Sequence, residues 1–455
     1  MINFSDLSFI FRFLPVFLIL FYLTPITCRT WTLLLGSLVF YAVGDFKMLP
    51  ALLGAVIVNY LFARAIRGAE KKKGLLAFIV IIDALMLIEF KILGQFVNSE
   101  LLPIGISFYT FKMISFQADT YLKRYDGEPR FVDVAAYFCM FPQVVMGPIM
   151  RYSDYSDNLD IIPCATKSTV KEIFENIEDG IRYFIVGLAM KVIIADHLAM
   201  LWNEIDKIGY ESISTPLAWV GAVGYSLNLF YDFWGYSLMA SGIAVMLGFP
   251  FIVNFDHPYG AASVSEFYRR WHATLGSWFR DYIYIPLGGS RVKPIRIILN
   301  LLVVWLVTGF WHGVTLNFIL WGLILFAIIV FERFVLQKLG IVKAIVGRFN
   351  VLVLIPLTWV VFAISDANEL MLYFTRLFPF FGTGVAVNGN DYIKNLGLFG
   401  GFMIAGLILL IPHVFKFFEK HRKNPICTII LLAIFWFSVY SLSNSAGNPF
   451  MYFRF

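Results

Sequence analysis

Two histidines could do chemistry here, one within an apolar run and one within a charged, aromatic-rich segment. His312 lies in LVVWLVTGFWHGVTLNFILWG, flanked by Trp311 and Gly313. His272 lies in EFYRRWHATLGSWFRDYIYIPLGGSR, Glu266 to Arg291, among Arg269, Arg270, Trp271, Trp278, Arg280 and Asp281. A charged side chain at a bilayer centre costs about 2.5–3.5 kcal/mol on insertion scales, so polar groups kept there ask for a reason. Apolar surroundings favour the uncharged form of an imidazole. An uncharged imidazole can take a proton from a hydroxyl as that hydroxyl attacks an acyl carbonyl. The same dry surroundings protect a thioester from water. The ordinary alternatives are a histidine that only hydrogen-bonds between helices and, for 266–291, an interfacial helix anchored by its Trp and Tyr residues.

Spacing excludes several other chemistries. HxxxH, HExxH and CxxC do not occur, so no metal site is expected. Neither a G-x-S-x-G elbow nor a GxxxxGK[ST] loop is present, against serine hydrolases and P-loop proteins. Cys28, Cys139, Cys164 and Cys427 are far apart and read as structural thiols. His197, His257, His413 and His421 read as structural or solvated. If 266–291 is one helix, Glu266 meets Arg270, and Tyr268 shares a face with His272 four residues on. Asn317 follows His312 by five residues and falls off its face. The group that orients His312 stays open, with Asp232, Glu266 and Asp281 as candidates by polarity alone.

These residues must be held by membrane helices. Of 455 residues 59% are hydrophobic and 15% charged, whereas a soluble domain has roughly a quarter charged. Candidate spans lie near 9–27, 31–46, 48–66, 74–92, 101–121, 131–150, 178–200 and 215–248, then 294–310, 315–337, 350–365, 396–414 and 426–443. A break is expected in 215–248 near Tyr231 to Gly235. About 11 to 13 membrane segments result, forming one membrane domain over 1–455 with no separate soluble domain. The opening MINFSDLSFIFRFLPVFLILFYLTP lacks a basic n-region and reads as a retained first helix. STVKEIFENIEDGIRYF reads as an amphipathic surface helix capped by Ser168.

The net charge of +6 is gathered in short loops, which speaks for topology control and not for nucleic-acid binding. Arg64 to Lys73, Lys123 to Arg130, Arg291 to Arg296 and Lys416 to Lys423 are the basic loops. Positive-inside bias puts them on the cytoplasmic face and the N-terminus outside.

Several blocks resemble the membrane-bound O-acyltransferase family, in the bacterial branch that includes alginate O-acetylation proteins. They are LPIGISFYTFKMISFQADTYL, FPQVVMGPIMRYSD, GLAMKVIIADHLA, YSLNLFYDFWGYSLMASGIAVMLGF, NFDHPYGAASVSEFYRRWHATLGSWFRDYIYIPLGGSR, TGFWHG and NPFMYFRF. The likeness runs along most of the chain, and 315–425 is only generically apolar. The resemblance implies an all-α polytopic fold, a ring of helices around a central funnel with re-entrant segments. It implies His312 as the catalytic histidine and His272 as a second functional polar residue. Arg269, Arg270, Trp271, Trp278, Arg280, Asp281, Trp311 and Asn317 would serve donor or substrate binding. It further implies an acetyl-CoA or acyl-carrier thioester as donor substrate, with no tightly bound cofactor. A bacterial cell-membrane location and an extracytoplasmic SGNH-type acetyltransferase partner are implied too, acting on an exported polysaccharide or peptidoglycan.

Two other classes compete. A secondary transporter or flippase would carry broken helices in corresponding places of two halves, whereas the polar clusters here are concentrated between 225 and 320. A non-catalytic scaffold for polysaccharide export would be indifferent to His312.

Overall fold

The computed structural model describes residues 3–68, 72–159, 170–381 and 386–444, and every regular element among them is helical. The chain divides into two compact units.

The first unit holds Met1–Gly187 and Tyr236–Val253. It opens with α1 (Leu14–Leu23), α2 (Arg29–Asp45), α3 (Leu49–Gly68), α4 (Lys72–Phe96) and α5 (Ile106–Leu122). Short helices α6 (Phe131–Cys139), α7 (Phe141–Val144) and α8 (Tyr152–Leu159) follow, and then α9 (Val170–Ala189). Phe4, Phe9, Phe13, Phe17 and Phe40 surround the Phe141 ring, with centroids 5.0–6.4 Å from it. Polar side chains tie α3, α4 and α5 together where lipid could not satisfy them. Asn59 donates to Asp83 at 2.9 Å, and Gln117 donates to the Asn59 side chain at 2.8 Å.

The span expected over 131–150 does not form. α6 stops at Cys139, Pro142 enters the four-residue α7, and the chain from 145 to 151 is irregular. A proline fits only a first helical turn and ends a run of longer helix. The irregular backbone is buried through Val145, Met146, Ile149 and Met150, the condition under which membrane-depth loops are tolerated.

The second unit holds Leu188–Gly235 and Asn254–Ser441. A wide π-type turn at Met190–Ala195 joins α9 to α10 (Asp196–Ile208), giving a continuous helical stretch from 170 to 208. The sequence 170–184, expected to lie separately on the surface, is the start of this stretch; Ser168 lies outside the described residues. Next comes α11 (Thr215–Met246), unbroken over 32 residues and ending in the first unit. The expected break at Tyr231–Gly235 is absent because its polar residue is matched. Lys191 Nζ lies 2.8 Å from Asp232 and 2.7 Å from Asp196. The unit continues with α12 (Val264–Arg270), α13 (Ala273–Phe279), α14 (Pro294–His312), α15 (Leu316–Phe334), α16 (Ile341–Phe349) and α17 (Ile355–Ala363). It closes with α18 (Ala367–Leu377), α19 (Asp391–Leu409), α20 (Pro412–His421) and α21 (Pro425–Asn444).

Eight of the described helices are long and apolar enough to cross a membrane. In α21 the buried residues are Leu431 and Ser438, while Ile429, Trp436 and Phe437 are exposed. Apolar surface of this extent is stable only against lipid tails. The protein is an all-α, multi-pass membrane protein. Of the other expected spans, 131–150 folds as short pieces, and α4 carries Asp83, Glu89 and Lys91 through its middle.

Candidate active site

The site is built on the antiparallel hairpin of α14 and α15. Gly309 and Gly322 let the two backbones touch: a Cβ at either would lie 2.6 Å from a carbonyl oxygen of the facing helix, Phe318 or Trp305. Side chains larger than hydrogen are excluded there. His312 is the last residue of α14 and is buried. Trp321 and Phe362 meet its ring edge-on, with centroids at 5.0 and 5.1 Å, and Trp311 lies at 4.6 Å. Asn317 fixes this box from behind: its Nδ2 donates to the Phe362 carbonyl at 2.9 Å, which ties the start of α15 to the end of α17.

The second histidine sits on a break. The Glu266–Arg291 segment is not one helix. α12 ends at Arg270, α13 begins at Ala273, and His272 between them has a left-handed backbone, φ 46°. Glu266 and Arg270 do pair within α12, at 2.5 Å. Tyr268 and His272, expected on one helical face, do not share a helix: Tyr268 lies in α12 and His272 in the break. Left-handed backbone strains a residue that carries a Cβ, so the break must be held by its surroundings.

Three groups fix the start of α12, the helix that leads into it. Ser263 caps α12 by accepting the Glu266 N–H at 3.1 Å. Glu266 accepts the Ala262 N–H at 2.9 Å, and that bond, aided by Arg270, keeps its carboxyl below the usual range. Glu332 of α15 accepts the N–H groups of Val264 and Ser265 at 2.9 and 3.3 Å, and Asn350 Nδ2 at 3.1 Å. A carboxylate on these N–H groups satisfies otherwise orphaned donors. Asn254 lies beside the break, 3.1 Å from His272 Nδ1. His272 is outside the eight long apolar helices, and burial lowers its imidazole to about 3, so it is neutral at pH 7.

A cavity of about 660 Å³ opens between these elements, and both His272 and His312 line it. Along α15 it reaches from Trp321 to Arg333, about 18 Å of helix at 1.5 Å per residue. Trp271, Tyr268, Trp305 and Trp321 form aromatic wall, and Arg269, Arg280, Arg333 and Lys343 also line it. Among its described lining residues the one carboxylate is Glu332, already accepting three donors. The lining therefore carries excess positive charge, gathered with Arg333 and Lys343 at the end remote from His312.

Five expected residues do not line the cavity, although Trp311 and Asn317 border the His312 box. They are Arg270, Trp278, Asp281, Trp311 and Asn317. Trp278 packs on Phe279 and Tyr282, and Asp281 pairs with Arg280 at 2.7 Å. The three carboxylates considered as orienting groups for His312 are committed to other partners: Asp232 to Lys191, Glu266 to Arg270 and Ala262, Asp281 to Arg280. Among the described residues no group of three or more metal-binding side chains occurs. His197 stacks on Phe402 with centroids at 3.9 Å, and His421 Nδ1 lies 2.9 Å from its own helix carbonyl at Phe417.

Sequence reasoning passed over Asn254, Ser263 and Glu332. Ser263-x-x-Glu266 is a capping-box spacing that marks the start of α12. Asn254 and Glu332 carry no such local signal, because their partners are distant in sequence.

The model of the MBOAT, membrane-bound O-acyltransferase family matches residues 75–375. A probable alginate O-acetylase of Pseudomonas putida is 30% identical over 500 residues, covering 99% of this chain and 100% of the relative. A peptidoglycan O-acetyltransferase of Helicobacter pylori is 33% identical over 370 residues, 70% of this chain and 68% of the relative. A teichoic acid D-alanyltransferase of Streptococcus thermophilus is 28% identical over 239 residues, 48% of this chain and 54% of the relative. Other pseudomonad relatives described as alginate O-acetylases are matched over 64% of their own length.

Proposed function

The chain belongs to the membrane-bound O-acyltransferase family, and we propose that it passes an acetyl group from a cytoplasmic thioester toward an exported polysaccharide or peptidoglycan. The observation that carries this reading is one cavity, lined by His312 and His272 in aromatic walls and by cations at its far end. Its volume of about 660 Å³ suits a small-molecule ligand, for which pockets of roughly 300–1,000 Å³ are usual.

The chemistry follows from the residues. An acceptor hydroxyl gives its proton to His312 as its oxygen attacks the thioester carbonyl. The new C–O bond forms, the C–S bond breaks, and the thiol leaves with the proton returned from the imidazole. Aromatic walls keep water from competing for the thioester. Arg269, Arg333 and Lys343 suit the phosphates of acetyl-CoA or of a carrier protein's phosphopantetheine arm.

The basic run Arg291 to Arg296 leads into the first turn of α14, and α15 returns to the same end at Arg333. Positive-inside bias puts that end in the cytoplasm of a bacterial cell, where the thioester is found, and puts the N-terminus outside. Acetyl groups leaving the other end would pass to an SGNH-type acetyltransferase outside the membrane.

Donor recognition is tested by the triple variant Arg269→Gln, Arg333→Gln, Lys343→Gln in nanodiscs. KM for acetyl-CoA or acetyl-carrier should rise about tenfold or more, with kcat less affected. An unchanged KM for both donors would remove the cations from donor recognition.

A further inference from the structure

Residues 254–262 run beside the α12–α13 break with a single helical turn of their own at Pro258–Gly260. Two backbone bonds bracket the break: Asp256 N–H donates to the Arg270 carbonyl, and Ala273 N–H donates to the Asn254 carbonyl, each at 2.9 Å. The Asn254 side chain is buried between them. Its Oδ1 accepts the Thr274 hydroxyl at 2.8 Å and, at a longer 3.3 Å, the Thr274 backbone N–H.

These bonds settle the polarity of the contact with His272. A backbone N–H only donates, so the Asn254 atom facing it is the amide oxygen. An amide oxygen only accepts. The hydrogen between Asn254 Oδ1 and His272 Nδ1, 3.1 Å apart, therefore belongs to Nδ1. In a neutral imidazole the other nitrogen, Nε2, then carries the lone pair.

We infer that Asn254 is a positioning residue that holds His272 as the Nδ1–H tautomer, so that Nε2 can only accept a hydrogen bond. A neutral His272 so held does not donate from Nε2 to an acyl oxygen, and its part differs from that of a general acid. The role in turnover rests on the acyltransferase reading; the tautomer does not. The strained backbone of His272 has a reason here, because the left-handed turn brings its ring to an acceptor 18 residues upstream.

The test uses full-length protein in nanodiscs with 15N-labelled histidine, the His272 signals assigned by their loss in His272→Gln. The proton should be found on Nδ1 and not on Nε2. A proton on Nε2 would overturn the inference, whatever the turnover. Asn254→Asp offers an acceptor to the same three donors and should keep the Nδ1–H signature. It should also keep thioester turnover within about tenfold of wild type, while Asn254→Leu loses about 100-fold, the scale of a misplaced reacting group. Folded Asn254→Leu with unchanged kcat and both KM values unchanged would refute the positioning role. Absence of turnover in wild type with any donor would count against the acyltransferase reading alone, since the spectra still decide the tautomer.

Discussion

An imidazole serves acyl transfer only while its ring is held still in dry surroundings, and the two histidines meet this need by different means. His312 is held by ring packing against Trp321 and Phe362. His272 is held by Asn254 and a strained backbone. Trp321→Ala should therefore lower kcat, by about 100-fold if the ring swings away, with KM for the thioester changed less; a change confined to KM would mean that Trp321 only binds. The neutral burial of His272 also carries a pH signature. Its folded imidazole titrates near 3 and its unfolded one near 6.5, so below about 6.5 the unfolded chain binds the extra proton. Stability should fall as pH drops from about 6.5 toward 3, and His272→Gln should flatten that slope in thermal melts; an unaltered slope would contradict a neutral His272. His312 stands out in the sequence as a lone polar group in an apolar run, and His272 as an imidazole within a dense segment of charged and aromatic residues. Asn254 was not legible there, since its bond to His272 crosses a loop without periodicity.

The elements place these residues through two joints. At the α14–α15 joint, Gly309 leaves no room for a side chain. Gly309→Val should destabilise by about 1–3 kcal/mol, the usual cost of overpacking, seen as a lower melting temperature together with lost turnover. Equal melting temperatures would mean that the helices slide apart freely. At the α12 joint, Glu332→Ala removes the acceptor of two backbone N–H groups. It should cost about 0.5–2 kcal/mol, as loss of a helix cap does, and Glu332→Gln should cost less because an acceptor remains. A Gln variant as unstable as Ala would point to the charge instead of the bonds. The hairpin was readable from two long apolar runs around TGFWHG. The break at Trp271–His272 was not, because residues 264–279 lack a proline or glycine at the break and tertiary bonds make it. The same holds in reverse for α11, where Lys191 from another element removes the reason for a break at Asp232.

At the scale of the molecule, the all-α membrane class follows from composition alone, whereas the division of spans depends on which charges find buried partners. The orientation rests on the basic loops. In a cysteine-free background, Lys293→Cys and Lys420→Cys should react with an impermeant thiol reagent only after the inner membrane is opened, and Asn388→Cys should react without opening. The reverse pattern would put the cationic end of the cavity outside, away from any thioester. The central claim is that His312 performs acyl transfer. The most direct measurement is acetyl transfer by purified protein in nanodiscs from radiolabelled acetyl-CoA and from an acetyl-carrier thioester, with a polysaccharide acceptor and an SGNH-type partner added, wild type against His312→Ala. Wild type should turn over, and a folded His312→Ala should lose at least about 100-fold, on the order of a general base's contribution. Equal turnover in the two proteins would contradict the claim.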